Sequence, residues 1–254
     1  PPIPDFSGHT TILMPQDKVK TMLRRTSFAV STDENRYVLN GLYLSFKENK
    51  LTMVATDGRR LALAEEEVEL PGESQMELIV PTKAIQELSR QLGEEGNVKI
   101  QITENQVSFG LEEKQGTGSL IVSKLVEGAY PNYKQVIPAE SKHRVTLDKE
   151  ELFHALRRAE IMTSEKANSV KLTFSENNLT FTANSPEVGE SRETMAIKYG
   201  GEETSIAFNP EFFIDPLKAL EEDEVHFEFT DQLSPGVVKV NHPFLYVIMP
   251  MRTS

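Results

Sequence analysis

The chain of 254 residues contains no cysteine and no tryptophan, and only 7% of its residues are aromatic. Without cysteine it can form no disulfide, no thiolate metal site and no cysteine nucleophile, which suits a reducing cytoplasm. No stretch approaches the roughly 18 consecutive apolar residues of a membrane-spanning helix. The first residues, PPIPDFSGHTT, lack the basic start and the apolar core of a signal peptide. These absences predict a cytoplasmic protein without disulfides and without a membrane segment.

The motifs of common catalytic and cofactor sites are also missing. The sequence has no HExxH, GxGxxG, GxxxxGKS/T or GxSxG pattern. Thr56-Asp57-Gly58 is better explained as a turn between two strands than as the site of a catalytic aspartate. We therefore expect no metal, no cofactor and no catalytic residue, and an enzyme would need a set of residues that only folding brings together. The five histidines are scattered without the spacing of metal ligands: His9, His143, His154, His226 and His242.

The net charge of −12 argues against a simple nucleic-acid-binding protein, which is usually basic. The charges are unevenly spread, because acids gather in runs such as Glu65-Glu66-Glu67 while cations gather on predicted helices. Such a helix face is most often merely solvated; the alternative is a basic face that contacts a phosphate backbone independently of sequence. No aromatic platform or recognition helix predicts base readout. The helical cations are Lys18, Lys20, Arg24, Arg25, Lys83, Arg90, Arg157, Arg158 and Lys218, with His154 beside them.

An internal repeat organises the chain. LSFKENKLTMVA at residues 44–55 matches LTFSENNLTFTA at residues 172–183, with seven identical positions in twelve at one offset, 174 − 46 = 128. Leu23-Arg24-Arg25 likewise reappears as Leu156-Arg157-Arg158. The chain is therefore predicted to hold two copies of one domain, at residues 1–139 and 140–254.

Each copy is predicted to be α+β, with two helices and several short antiparallel strands. Apolar residues at spacings of three and four predict amphipathic helices over Pro15–Phe28 and Asp148–Glu160, with Asp148 as N-cap. Prolines open the second helices, Thr82–Leu92 and Glu211–Leu220. Glu48-Asn49 and Asp57-Gly58 are predicted turns. The predicted strands are Tyr43–Phe46, Leu51–Ala55, Leu61–Glu65, Val98–Ile102, Gln106–Gly110, Ser119–Ser123, Val225–Phe229, Val237–Asn241 and Leu245–Met249.

The end of the chain is unusually apolar. Residues 244–252 read FLYVIMPMR, whereas terminal residues are commonly frayed and polar. On composition alone, this stretch is the buried last strand of an ordinary sheet. The alternative is that it forms part of a binding pocket, which the motifs described next support.

Four stretches resemble the bacterial β sliding clamp, the processivity subunit of DNA polymerase III: RYVLNG (36–41), VATDGRRLA (54–62), SKLVEGAYPNY (123–133) and YVIMPMR (246–252). That family has three copies of the clamp domain, and this chain resembles the second (1–139) and the third (140–254). The PPIPDF start resembles the linker after the first domain. The resemblance therefore predicts a fragment that lacks the first domain, in which closure of the family's homodimeric ring is doubtful.

The resemblance implies a non-enzymatic clamp that encircles duplex DNA and keeps the replicative polymerase on its template. In the family, helices line a central hole and sheets form the outer rim. The residues implied at the DNA are Lys20, Arg24, Arg25, Arg36, Tyr37, Lys83, Arg157 and Arg158. The residues implied at the dimer interface are Ile161, Met162, Glu187, Glu190 and Glu193.

The resemblance also implies a hydrophobic peptide-binding pocket between the two domains. Its partners would be the polymerase III catalytic subunit, the clamp loader, other DNA polymerases, mismatch-repair proteins and ligase, bound through Q-L-x-L-F-like peptides. Methionines suit such a pocket because the flexible thioether chain repacks around different ligands. Arg59, Gln135 and Ala167 depart from the family's usual residues. The implied pocket residues are Leu39, Thr56, Gly58, Arg59, Arg60, Leu61, Pro131, Val136, Asn209, Phe212, Leu233, Pro235, Val247, Ile248, Met249, Pro250, Met251 and Arg252.

Two other classes of function stay open at this level. One is an enzyme built on a duplicated α+β scaffold, and the other is a purely structural scaffold domain. Binding of a peptide at the pocket of Leu61 and Met249 would distinguish the clamp from both. Turnover that depends on one specific carboxylate would support the enzyme.

Overall fold

The computed structural model of the protein describes residues 3–113, 116 and 118–252. Pro1 and Pro2, the start of the linker-like PPIPDF stretch, lie outside these residues. The chain divides into two units between Asn132 and Tyr133. The structure thus groups residues 133–139 with the second unit, whereas the sequence assigns them to the first. The reason is that residues 135–138 line a groove together with Thr230 and Pro235.

The first unit contains two helices and eight strands among its described residues. The strands form two antiparallel sets of four, in the orders β1-β6-β7-β8 and β5-β2-β3-β4. The elements are β1 (Thr11–Pro15), α1 (Gln16–Thr26), β2 (Gly41–Lys47), β3 (Lys50–Thr56), β4 (Arg60–Glu67), β5 (Met76–Pro81), α2 (Thr82–Gln91), β6 (Asn97–Ile102), β7 (Gln106–Leu111) and β8 (Ser119–Lys124).

The second unit repeats this order within the part of it that the structure describes. Its strands form the antiparallel sets β9-β14-β15-β16 and β13-β10-β11-β12. The elements are β9 (His143–Asp148), α3 (Lys149–Glu160), β10 (Val170–Ser175), β11 (Asn178–Ser185), β12 (Gly189–Ala196), β13 (Thr204–Phe208), α4 (Pro210–Ala219), β14 (Glu224–Phe229), β15 (Gly236–Val240) and β16 (His242–Ile248).

The two units are copies of one topology, which confirms the predicted repeat and the α+β class. Each unit runs strand, helix, four strands, helix, three strands. The first strand pairs with the sixth, and the second pairs with both the third and the fifth, in each unit. The repeated LSFKENKLTMVA and LTFSENNLTFTA stretches form the equivalent hairpins β2-β3 and β10-β11.

The hairpin turns follow directly from their residues. Glu48 and Asn49 have φ values of 53° and 55°, and Asn177 in the equivalent turn has φ 52°. Asparagine tolerates this left-handed conformation better than most residues, which explains its presence in both turns. The predicted turn at Glu48-Asn49 is therefore confirmed.

The helices lie close to their predicted bounds. Asp148 caps α3, because its Oδ1 accepts a hydrogen bond of 2.8 Å from the backbone N–H of Glu151, as predicted. The first helix is shorter than predicted. Pro15 belongs to β1, and after Thr26 the chain tightens into a 3-10 turn at Ser27–Ala29.

The sequence analysis missed several strands. β1 and β9 run straight into the following helix, so their short alternation merges with the helical pattern. β12 is largely polar and solvent-exposed, with only Met195 buried, so it lacks a period-two apolar signal. β5 and β13 were missed for the same reason as β1 and β9, because each ends just before a helix. Among the described residues, no helix is long and apolar enough to cross a membrane.

The cores of the two units differ in chemistry. The first unit is packed mainly with aliphatic side chains around the fully buried Phe46. The second unit holds a cluster of buried phenylalanines, in which Phe174 stacks on Phe229 with ring centroids 4.2 Å apart and on Phe227 at 5.8 Å. Burying one such side chain contributes about 1.5–3 kcal/mol, so either core can hold its helices against its strands.

Candidate partner-binding and DNA-facing surfaces

The end of β16 opens into a groove of about 480 Å³ within the second unit, which we call the Met249 groove. Three of the implied pocket residues line it: Val136, Pro235 and Met249. Val136 is 45% exposed and Met249 is 38% exposed, so both apolar side chains are available to a ligand. Sequence reasoning did not assign the other lining residues to a pocket: Ile137, Pro138, Glu140, Thr230 and Ser234, with Gln135 noted only as a departure.

A second groove of about 390 Å³, the Met251 groove, lies along the last residues described. It contains the implied residues Leu233, Met251 and Arg252. The backbone N–H of Met251 donates a hydrogen bond of 2.8 Å to the carbonyl of Ala207, which fixes this part of the chain beside β13. No sequence pattern indicated its remaining residues, Lys171, Ser205, Ala207 and Gln232.

A tight turn displays Leu233 at the rim of the Met251 groove. Asp231 Oδ1 accepts hydrogen bonds from the backbone N–H groups of Leu233 at 2.9 Å and Ser234 at 2.8 Å. These bonds, that of Leu233 above all, lower the pKa of the Asp231 carboxyl because they stabilise its charged form. The turn leaves the Leu233 side chain 69% exposed, so it is accessible to a ligand in the groove.

Several implied pocket residues of the second unit do not line either groove but are buried or hold neighbouring elements in place. Val247, Ile248 and Phe212 are buried, so in this structure they pack the core and do not line the surface. Asn209 caps α4, with its Oδ1 accepting a bond of 3.0 Å from the N–H of Glu211. Tyr246 donates a buried hydrogen bond of 2.6 Å to the carbonyl of Phe212, which ties β16 to α4. Pro250, which stands between Met249 and Met251 in the sequence, is half-buried.

The implied pocket residues of the first unit cluster at the turn between β3 and β4. Thr56 Oγ1 donates to the carbonyl of Arg60 at 2.7 Å and accepts from the N–H of Gly58 at 3.1 Å. Gly58 has φ 87°, a left-handed conformation that favours glycine. The predicted turn is therefore confirmed. Leu39 and Leu61 are buried at 2% exposure, whereas Arg59 and Pro131 are exposed.

Two arginines brace this turn. Arg36 Nη1 donates a bond of 3.0 Å to the carbonyl of Asp57, and a β-carbon at Gly58 would lie only 2.6 Å from that nitrogen. Arg60 forms a bond of 3.3 Å to the Asp57 carboxylate and lies over the ring of Phe28 at 5.7 Å. Asp57 is thus a structural turn residue. Among the described residues no set of three or more His, Asp or Glu side chains could hold a metal ion.

The cations implied at DNA lie on the helices, and most have a carboxylate beside them. Lys20 on α1 pairs with Glu94 at 2.7 Å, and Arg158 on α3 pairs with Glu193 at 2.7 Å. Lys83 at the start of α2 is exposed, and it forms no ion pair with any other described residue. The other cations on these helices are Arg24 (exposed), Arg25 (half-buried) and Arg157, which contacts Glu160 at 3.4 Å. Arg36 and Tyr37, the latter 59% exposed, lie in the 3-10 turn Glu34–Leu39.

The residues implied at the dimer interface lie at one end of α3 and on β12 and the turn before it. Ile161 is 68% exposed immediately after α3, and Met162 is half-buried. Glu187 and Glu190 are exposed beside Val188, a 54% exposed apolar residue that sequence reasoning missed. Glu193 lies on β12 and, as above, is paired with Arg158. Exposed apolar residues rimmed by polar groups are typical of protein contact surfaces.

Comparison with known proteins agrees with this architecture. Residues 13–132 match the family model of the central domain of the DNA polymerase III beta subunit. Residues 134–252 match the model of its C-terminal domain. The two units therefore correspond to two consecutive domains of a sliding clamp.

The relatives are beta sliding clamps of bacteria. The chain is 38% identical over 252 residues to the beta sliding clamp of Chlamydia pneumoniae, covering 99% of this chain and 68% of that protein. A crystal structure of the DNA polymerase sliding clamp from Pseudomonas aeruginosa with ligand superposes with a TM-score of 0.93 at 32% identity, covering 100% of this chain and 69% of that one. The same values of TM-score and identity hold for a P. aeruginosa sliding clamp bound to griselimycin, of which this chain covers 68%. The chain belongs to the beta sliding clamp family, the beta subunits of DNA polymerase III.

Proposed function

We propose that the chain acts in DNA replication as part of a sliding clamp that encircles duplex DNA and confers processivity on the replicative polymerase. It does so by binding and carries out no reaction of its own. Membership of the sliding clamp family supports this role. The basic residues on α1, α2 and α3 support a contact with phosphates that is independent of base sequence.

The second part of the proposal is that partner proteins dock through short peptides at the Met249 and Met251 grooves. The observation that carries it is the exposed apolar set Val136, Met249 and Leu233 beside two concave surfaces of a single unit. A pocket of a few hundred Å³ with an apolar lining and a few polar groups is the usual form of a ligand site. The Met249 groove would take a leucine anchor of a Q-L-x-L-F-like peptide.

The Met251 groove would take the neighbouring part of the same peptide. Leu233 and Met251 offer apolar contact, and Lys171 and Arg252 offer positive charge and hydrogen-bond donors. An extended peptide with an apolar anchor and a glutamine or acidic group satisfies both features. The polymerase III catalytic subunit, the clamp loader, other DNA polymerases, mismatch-repair proteins and ligase are the partners that we propose.

Calorimetric titration with a Q-L-x-L-F peptide tests the docking proposal. We expect one site per chain with a dissociation constant on the order of micromolar, about −8 kcal/mol. Met249→Ala and Leu233→Ala should each weaken binding by roughly 1–3 kcal/mol, because each truncates an exposed apolar contact. Griselimycin, which is bound to a relative of known structure, serves as a second ligand in the same titrations.

Leu120→Ala is the matched control, because Leu120 is 50% exposed on β8 of the first unit and lies in neither groove. It should leave peptide affinity unchanged. Equal weakening by all three variants, or no binding by folded wild-type protein, would contradict the proposal. Leu61→Ala adds a probe of the first unit, although this buried residue also serves the core.

A further inference from the structure

The DNA-facing helices of the first unit carry their own counter-ions. Lys20 Nζ lies 2.7 Å from Glu94 Oε1, which follows α2, and Lys18 Nζ lies 3.1 Å from Glu66 Oε1 on β4. The hydrogen bond from Lys20 also lowers the pKa of Glu94 because it stabilises the charged carboxylate. Both ion pairs lie at the surface, with 37% of Lys20 and 76% of Glu94 side chain exposed.

The second unit repeats the arrangement. Arg158 Nε is 2.7 Å from both oxygens of Glu193, and Arg158 Nη2 is 2.7 Å from Oε2, a bidentate geometry. That hydrogen bonding raises the pKa of Arg158. Glu193 lies on β12, the strand equivalent to β4, so in both units the first helix pairs with a carboxylate of the same strand. Pairing between the first helix and the fourth strand therefore recurs as Lys18–Glu66 and Arg158–Glu193, whereas Lys20–Glu94 joins α1 to the segment after α2.

The strength of these ion pairs determines whether a DNA phosphate can displace the carboxylate. Ion pairs between exposed side chains contribute only about 0.2–1 kcal/mol, so a passing phosphate can displace the carboxylate. A carboxylate that holds the same cation nevertheless reduces the free energy gained from that phosphate. We propose that Glu94 and Glu193 compete with DNA phosphates for Lys20 and Arg158, and so keep the affinity of the helices for DNA low. This inference rests on the proposed DNA-facing role of the helices.

Weak attachment is what a sliding surface requires. Between phosphates, a cation can return to its own carboxylate and so does not remain unpaired. The free energy of the protein therefore varies little as the protein moves along the duplex. Net counter-ion release then also falls, because the displaced carboxylate takes up a cation from solution and offsets one released from the DNA. Affinity and its dependence on salt should therefore both be lower than the number of basic residues suggests.

The test is fluorescence anisotropy of a short labelled duplex with the wild-type chain, Glu94→Gln and Glu193→Gln, over a series of salt concentrations. Each substitution should tighten DNA binding by about two- to fivefold at low salt, the factor that corresponds to an exposed ion pair. The slope of log K against log salt should become steeper by about one for each cation released.

Two controls separate competition from a simple change of net charge. Glu165→Gln removes one exposed carboxylate of the second unit that forms no ion pair with the described residues, and it should change affinity less. Arg158→Gln should abolish the gain that Glu193→Gln produces, because the competed cation is then absent. Sedimentation of each variant checks that Glu193→Gln has not altered the oligomeric state.

The outcomes are distinct. If wild-type protein binds the duplex and Glu94→Gln and Glu193→Gln bind no tighter than Glu165→Gln, the competition is wrong while the clamp proposal stands. If Glu193→Gln still tightens binding in the Arg158→Gln background, the named pair is wrong. If no variant binds duplex DNA at any salt, the DNA-facing role itself is wrong, and the inference is overturned with it.

Discussion

The two units share a topology but differ in how their helices begin and in what fills their cores. In the second unit, Asp148 and Asn209 cap α3 and α4 through side-chain hydrogen bonds. In the first unit, Pro15 and Pro81 occupy the equivalent positions and form no such bond. Phe46 and Phe174 are equivalent by the repeat, yet only Phe174 belongs to a stacked aromatic cluster. One arrangement of strands and helices is therefore stabilised by two different sets of local interactions.

The surfaces differ as the cores do. The second unit presents exposed apolar residues at both grooves and at the end of α3, including Leu233 and Ile161. What recurs in both units is the ion pairing between the first helix and the fourth strand. The two units thus share an ion pair between the first helix and the fourth strand, whereas the two grooves with their exposed apolar residues belong to the second unit.

The largest effect that we expect comes from the cores. Phe174→Ala should lower the free energy of unfolding by about 3–5 kcal/mol, because it leaves a cavity and removes aromatic contacts. Phe46→Ala should lower the free energy of unfolding by less. The difference should be roughly 0.5–1.5 kcal/mol for each aromatic ring contact that Phe174 makes and Phe46 does not. Native-state hydrogen exchange of β10 and β2 amides measures each unit separately.

Phe174→Leu and Phe46→Leu are the matched controls, since both retain an apolar side chain and remove only the ring. Phe174→Leu in the second unit should lower the free energy of unfolding more than Phe46→Leu in the first unit. If Phe46→Ala proved as costly as Phe174→Ala, and the two leucine variants did not differ, the aromatic cluster would contribute nothing beyond the area it buries.

A smaller effect is expected at the helix caps. Asp148→Ala should destabilise the second unit by about 1 kcal/mol, because the N–H of Glu151 loses its acceptor. Urea denaturation followed by circular dichroism gives the change in stability. Glu150→Ala, in the same first turn but without a capping bond in the structure, should cost less. Equal costs would show that charge near the helix terminus, and no specific cap, accounts for the effect.

The sequence predicted what depends on neighbouring residues. The four helices, the turn at Glu48-Asn49 and the cap at Asp148 all follow from patterns within a dozen residues, and the repeat follows from two such stretches that match each other. Strands β1 and β9 escaped because each is too short to show a period before its helix begins. The fold class and the family were therefore accessible before the structure.

The candidate site was less accessible, since its parts meet only after folding. Thr230 and Ser234 join Val136 in the Met249 groove from distant positions in the chain. Arg158 and Glu193 are 35 residues apart, and nothing in either local sequence indicates their contact. The family resemblance implies that Val247 and Ile248 belong to the pocket, and only the structure shows that both side chains are buried at the end of β16.

The most direct test of the account is a methyl NMR titration of methionine-labelled protein with a Q-L-x-L-F peptide. The chain has eight methionines, of which Met249 and Met251 line the two grooves while Met14, Met22, Met53 and Met195 are buried elsewhere. We predict that peptide shifts the methyl signals of Met249 and Met251 and leaves the four buried signals in place. Shifts that spare Met249 and Met251, or that spread evenly over the buried methionines, would contradict the proposal that partners dock at these grooves.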